Sequence, residues 1–326
     1  MQINLLSVGV VIIGRNEGLR LITCLDSLAG VMPRVVYVDS ASTDNSVAEA
    51  KKRRAHVVSL DMSYAFTAAR ARNAGFDSIT SLFPDIKFVQ FVDGDCEVLS
   101  GWIQLGMLFL ENNPHVAVVS GVLNERFPEQ SIYNFLCDDE WKASAGEIKY
   151  CGGNALMRAD AFKAIGGFLP NLIAGEEPEL CVRLRQSGWK IWHLDESMML
   201  HDANITSFFQ WWKRTKRSGY AYAEGALLHG AAPEFHWVAE SRRAWIWGFI
   251  LPVLIFIMCF LNLKLCSLMI LLYPLQVTRL ALKSNKPKNW QKAFFLVLGK
   301  FAEMIGQFKF FKQKYFNEEI HLIEYK

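Results

Sequence analysis

Two aspartates separated by one glycine, Asp93-Gly94-Asp95, close the run FVQFVDGDCE. Carboxylates at that spacing suit a hard divalent cation and leave coordination positions open for phosphate. Asp-x-Asp is also turn chemistry, in which the side chains accept backbone N–H groups. The metal reading draws on position: the preceding apolar run puts the pair at a strand end, and Gly94 lets the backbone come close to a ligand. A second acidic cluster, Ala174-Gly175-Glu176-Glu177-Pro178-Glu179, precedes apolar Leu180, Val182 and Leu184 and basic Arg183 and Arg185. That pattern predicts a helix starting near Pro178. Its glutamates either complement the helix dipole or supply a general base. His201, in MLHDA, is either a structural histidine or an imidazole that joins the carboxylates on a metal. Downstream, Trp211-Trp212-Lys213-Arg214-Thr215-Lys216-Arg217 sets cations beside aromatics, an arrangement suited to a diphosphate, an anionic lipid or a solvated helix face.

Strands must carry these groups. VGVVII (8 to 13), VVYVD (35 to 39), HVVSL (56 to 60) and FVQFVD (88 to 93) are continuous apolar runs of the kind buried on both faces of a parallel sheet. Leu19–Leu28 and Ser46–Arg54 have helical spacing, the second opened by the cap-rich Ser42-Thr43-Asp44-Asn45. The order βαβαβ predicts a doubly wound α/β sheet. Ligands bind beyond the carboxyl ends of such strands, so Gly14-Arg15-Asn16-Glu17, Asp39-Ser40 and Asp93-Gly94-Asp95 are expected around one crevice.

Composition narrows the classes. The 326 residues carry 35 basic and 32 acidic side chains, a formal charge of +3, which is too even for the basic field of a nucleic-acid-binding protein. Seven scattered cysteines with no C-x-x-C pair argue against a disulfide framework and a thiolate zinc site and point to a reducing cytoplasm for the catalytic part. No basic region precedes Val8–Ile13, which therefore reads as a strand and not as a signal-peptide core. Apolar residues make up 52% of the chain. They concentrate in Trp245 to Leu261 and Leu265 to Thr278, both free of charge, against a requirement of about 20 residues for a membrane span. Arg242 and Arg243 before the pair, and Arg279, Lys283, Lys286 and Lys288 after it, exceed the single Lys264 between. Such an asymmetry puts both outer ends on the cytoplasmic side. A hairpin over 245–282 either spans the membrane or lies on it. Residues 290–314 alternate aromatic and basic positions as an interfacial amphipathic helix would. The expected division is a catalytic domain over 1–240 and a membrane-associated helical region over 241–326.

From about Val8 to about Gly225 these segments together resemble the family 2 glycosyltransferases of GT-A fold, a Rossmann-like, mostly parallel sheet flanked by helices. VVIIGRNEGLRLITCLDSL is similar to that family's first strand and helix, with Asn16 and Glu17 at the strand end. VVYVDSASTDNS resembles its second-strand signature, which implies that Asp39 contacts the nucleotide base. AARARNAGF resembles the segment over the nucleotide and carries across Arg70, Arg72 and Asn73. FVDGDCE matches the D-x-D strand, implying Asp93 and Gly94 by the ribose and Asp95 on Mg2+ or Mn2+, with Asp93 and His201 as further metal contacts. GGNALMRADAFKAIGGF resembles the stretch by the donor sugar, with Gly152, Gly153 and Asn154. AGEEPELCVRLRQSGWKI is similar to the E-D motif, which implies Glu177 as the base, with glutamate in place of aspartate leaving Glu176 as the other choice.

The resemblance implies an inverting, metal-dependent transfer of one sugar from a nucleotide-diphosphate donor, UDP before GDP or dTDP, to a hydroxyl of a glycan or lipid-linked acceptor in envelope or extracellular polysaccharide synthesis. Arg214 or Arg217 would meet the leaving diphosphate. The Q-x-x-R-W motif of processive synthases is missing, so a single transfer is expected. An aspartate-nucleophile phosphatase fails for want of a hydroxylated residue after Asp95, where Cys96-Glu97-Val98 stands. A non-catalytic scaffold of a polysaccharide-assembly complex is the other alternative, although it has no need to keep the acidic groups together.

Overall fold

In VVYVD, Val35 and Tyr37 enter one hydrophobic cluster and Val36 and Val38 the other, all fully buried. A strand with both faces covered has no polar alternation, which explains the continuous apolar run. The computed structural model describes residues 5–31, 34–283 and 287–316. The first four strands, β1 (Val8–Gly14), β2 (Val35–Asp39), β3 (His56–Ser59) and β4 (Phe88–Asp93), pair in parallel in the order β3-β2-β1-β4. Their connecting helices are α1 (Leu19–Ser27), α2 (Ser46–Lys52) and α3 (Ala68–Leu82).

Beyond β4 the sheet is mixed, where a mostly parallel one was expected. After β5 (Cys96–Val98) and α4 (Trp102–Asn112) come β6 (Val116–Glu125), α5 (Ile132–Glu140), β7 (Gly146–Glu147), β8 (Ala155–Arg158), α6 (Ala159–Ala164), α7 (Glu176–Gln186) and β9 (Lys190–His201). The order continues β4-β8-β6-β9-β5, with β7 on β9. Here β8 is antiparallel to both β4 and β6, and β5 and β7 are antiparallel to β9. Only β6 and β9 run parallel. Apolar runs report burial and not strand direction, so this half was not legible from patterning.

Two compact units divide the chain. One holds residues 1–130 and 137–204, and the other holds 131–136 and 205–326. The break thus falls at Asn204 and not at the expected residue 240. The reason is α8 (Phe208–His229), which packs along α13 (Asn289–Phe316). A Cβ on Gly219 would strike Glu303 backbone, and one on Gly306 would strike Lys216 backbone, so the helix main chains touch. Between them, α9 (Val238–Trp245) continues through a π-helical turn at Ile246–Ile250 into α10 (Leu251–Leu261), followed by α11 (Leu263–Ile270) and α12 (Leu272–Ala281). Val238–Leu261 and Leu263–Ala281 are long and apolar enough to cross a membrane. They expose Phe256, Phe260, Leu261 and Leu268 among other large apolar side chains. Cys259 and Cys266, on either side of the Asn262 turn, form a disulfide, a pairing the scattered spacing did not announce; the other five cysteines are buried and in no disulfide.

Candidate active site

Register brings the acidic groups together. Gly14 pairs with Asp39 and Ile13 with Asp93, so β1, β2 and β4 end at one level. The loops beyond these ends are tied to one another. Asn16, at φ 57°, accepts on Oδ1 from Thr43 N–H at 2.7 Å and donates its own N–H to Ser42 Oγ at 2.9 Å. Gly18 N–H donates to Asp44 at 3.0 Å, and Glu17 pairs with Arg20 at 2.8 Å. Asp39 is buried, accepting from Tyr37 Oη at 3.1 Å and from Ser42 N–H at 3.0 Å. A buried carboxylate with both oxygens engaged is a fixed acceptor.

At the end of β4, Asp93 and Asp95 point into different surroundings. Asp93 accepts from Arg72 Nη2 at 2.7 Å and from Asn154 Nδ2 at 3.2 Å, while its N–H donates to Asn154 Oδ1 at 2.7 Å. Arg72 also donates through Nη1 to Glu176 Oε1 at 2.6 Å. One buried guanidinium therefore joins the D-x-D strand to the start of α7. Burial works against the charge on Arg72, but Asp93 and Glu176 outweigh it and raise its pKa. Gly153 packs on this pair, and a Cβ there would collide with the Arg72 guanidinium. At Gly94 a Cβ would lie 3.1 Å from Ile13 O.

Asp95 meets His201. Cys96 pairs with His201 across β5 and β9, and Glu125 pairs with His201 across β6 and β9, so the imidazole lies between two carboxylates. Its Nε2 is 3.3 Å from Asp95 Oδ1 and its Nδ1 is 3.7 Å from Glu125 Oε2. Trp141 packs edge-on against the ring at 4.5 Å. Ligand atoms of Asp95, Cys96 and His201 all lie within 4.8 Å of one another. A nearly buried carboxylate oxygen facing an imidazole nitrogen fits a divalent ion that keeps open positions for phosphate oxygens. Negative charge accumulates here: burial first, then Asp95, Asp93 and Glu17, raise the Cys24 thiol well above its ordinary pKa.

The two glutamates at the start of α7 part company. Glu176 joins Arg72, whereas Glu177 is buried and accepts from Cys151 N–H at 2.6 Å. Burial raises its pKa, and hydrogen bonds from Cys151 and Cys181 act in the opposite sense. Of the other expected residues, Arg70 donates to the carbonyls of Asp61, Tyr64 and Ala65 and so braces its own loop. Asn73 clamps Phe168 through both N–H and carbonyl, at 3.0 and 2.8 Å. Arg214 and Arg217 lie on α8, in the other unit. Patterning missed Glu125, Trp141 and the two cysteines beside Glu177.

This arrangement coincides with a family match: residues 9–166 fit the model described as glycosyl transferase family 2. Over that stretch, a little under half of the 326 residues, the chain resembles glycosyl transferase family 2. Over 82 residues the chain is 34% identical to the succinoglycan biosynthesis protein ExoA of Rhizobium meliloti (strain 1021), covering 25% of this chain and 24% of that protein. Over 238 residues the chain is 26% identical to a pre-mycofactocin glycosyltransferase of Mycobacterium tuberculosis, covering 68% of this chain and 48% of that one. The chain thus spans about half the length, or less, of these curated relatives. Among solved structures, the mannosyltransferase PcManGT of Pyrobaculum calidifontis, in complex with GDP-Man and Mn2+, superposes with TM-score 0.62 at 18% identity, over 93% of this chain and 87% of that one. At that identity the likeness establishes the fold, which is GT-A.

Proposed function

We propose that the family 2 domain transfers a single sugar, with inversion, from a nucleotide-diphosphate donor to a hydroxyl of a glycan or lipid-linked acceptor. The observation that carries this reading is the Arg72 bridge, which sets the D-x-D strand and the paired glutamates around one guanidinium, with Asp95 against His201. Asp39, with the Asn16–Thr43 stitch, would receive the nucleoside. Asp95 and His201 would hold Mg2+ or Mn2+, with Asp93 nearer the ribose. When bound, such an ion supplies positive charge opposite a departing diphosphate.

Glu177 accepts the proton of the attacking hydroxyl; burial favours its neutral form and makes it a stronger base than an exposed glutamate. Asn154 and Gly153 line the donor-sugar side, and the short Gly153 side leaves Arg72 its place. UDP is the nucleotide favoured by the family resemblance. The mannosyltransferase of similar fold holds GDP-Man, which makes GDP the comparison to run.

Helices Val238–Leu261 and Leu263–Ala281 support a membrane site of action. Arg242, Arg243, Arg279 and Lys283 flank the pair, which supports a cytoplasmic catalytic unit. An acceptor at the membrane surface, in envelope or extracellular polysaccharide synthesis, follows from that location.

The test is a titration of the detergent-solubilised chain with UDP, GDP and dTDP in Mn2+ or in EDTA, repeated with Asp95→Ala. Metal-dependent binding of one nucleotide, weakened at least tenfold in the variant, is the expected result. Binding indifferent to EDTA and to Asp95→Ala would overturn the metal assignment, and no binding of any nucleotide would return the chain to the scaffold reading.

A further inference from the structure

Glu177 is held by sulfur. Its Oε1 accepts from Cys151 N–H at 2.6 Å, from Cys151 Sγ at 3.0 Å and from Cys181 Sγ at 2.9 Å. Cys181 lies one turn along α7, and Cys151 leads directly into Gly152-Gly153-Asn154. The sulfurs are 3.8 Å apart and both cysteines are free. Among the described residues, every hydrogen bond to Glu177 ends on Oε1 and none on Oε2.

Burial raises both thiols, Cys181 to about 11 and Cys151 well above its ordinary value, so each keeps its proton near neutrality and remains a donor. Cys151 Sγ also lies 3.3 Å from Gly152 O, so its single proton is shared between two acceptors. A glutamate has one more rotor than the aspartate usual at this position, and an unanchored rotor lowers the fraction of time a base spends in line with its substrate.

We propose that Cys151 and Cys181 are positioning residues that clamp Oε1 of Glu177 and leave Oε2 to take the acceptor's proton. This inference rests on the reading of Glu177 as base. In the step itself, the acceptor O–H bond breaks and its proton goes to Oε2. The freed oxygen pair forms the bond to the anomeric carbon, and the bond from that carbon to the diphosphate oxygen breaks with its electrons leaving on the diphosphate. The titratable groups facing Glu177 are Cys151, Cys181 and Glu176, the last already paired with Arg72.

The test uses the full chain with Cys151→Ala/Cys181→Ala, the corresponding double serine variant, and Glu177→Gln. The first readout is the carboxyl titration of Glu177 by infrared difference spectroscopy against Glu177→Gln, which requires no substrate. The second is the pH profile of nucleotide release from UDP-glucose and GDP-mannose. Hydrogen bonds to a carboxylate favour its charged form, so their loss raises the pKa. The alanine variant should titrate about one pH unit higher, move the acidic limb of kcat upward by the same amount and lose about tenfold in kcat with donor KM unchanged. Serine should keep the wild-type titration. If the double alanine chain fails to fold, Cys181→Ala alone carries both readouts. An unshifted titration beside an inactive Glu177→Gln overturns the clamp and leaves the base standing; an active Glu177→Gln overturns both.

Discussion

With 4% of its side chain exposed, Arg72 balances Asp93 and Glu176 at once. Arg72→Met would leave two carboxylates facing each other with most of their solvation gone, at a cost of about 3 kcal/mol. Arg72→Lys should recover only part of this, because an ammonium cannot present two separated N–H groups to two acceptors. Thermal unfolding checks both, and an unchanged midpoint in Arg72→Met would show that the bridge contributes nothing to folding. Residue types and spacing revealed Asp93, Asp95, Glu176, Glu177 and His201, because short motifs at strand and helix ends are local signals. Arg72 entered only through the family resemblance. Glu125 and Cys151 gave no signal, since their partners His201 and Glu177 stand tens of residues away, and Cys181, one turn after Glu177, gave none because a lone thiol on a helix reads as an ordinary buried side chain.

At the level of elements, α3 delivers Arg72, and Thr67 fixes its start. The Thr67 hydroxyl oxygen accepts from Arg70 N–H at 3.1 Å and the same hydroxyl donates to Pro170 O at 2.9 Å. Thr67→Ala should cost about 2 kcal/mol, at the upper end for a cap because a second bond is lost with it, while Thr67→Ser should cost under half as much. Urea unfolding of the two variants side by side checks the ratio. Strands β1 to β4 were legible because burial on both faces writes an uninterrupted apolar run. The short β5, β7 and β8 were not, since two to four residues make no period and antiparallel pairing with β9 or β4 is decided by contacts distant in sequence. The E-D segment, by contrast, was read as a helix from its Pro178 and opens α7 two residues earlier, at Glu176.

Across the whole molecule, the second unit carries its own titration. On α8, Glu224 Oε2 is buried without a hydrogen-bond partner among the described residues, and burial raises its pKa to about 7. The folded state therefore holds this proton more tightly than the unfolded chain. Stability is greatest below the unfolded value of 4.5 and falls as pH rises to about 7, by on the order of 3 kcal/mol. Glu224→Gln should remove that slope, which pH-dependent thermal melts of the solubilised chain would record. On the membrane reading, Phe256→Arg places a charge in the apolar hairpin at a side chain 66% exposed. Folding in detergent should be unaffected, but insertion should be less favourable by about 3 kcal/mol. Flotation with vesicles checks it, and undiminished flotation would count against a spanning hairpin. The touching main chains of α8 and α13 carry a different consequence, one for sequence space. At Gly219 and Gly306 even a methyl group would overlap the opposing backbone. In a saturation library the outward positions of the two helices should accept most helix formers, whereas these two should survive as glycine alone. The spacing between them and their contacts at Glu303 and Lys216 thereby works as a key that admits a single register, independent of any chemistry at the acidic site.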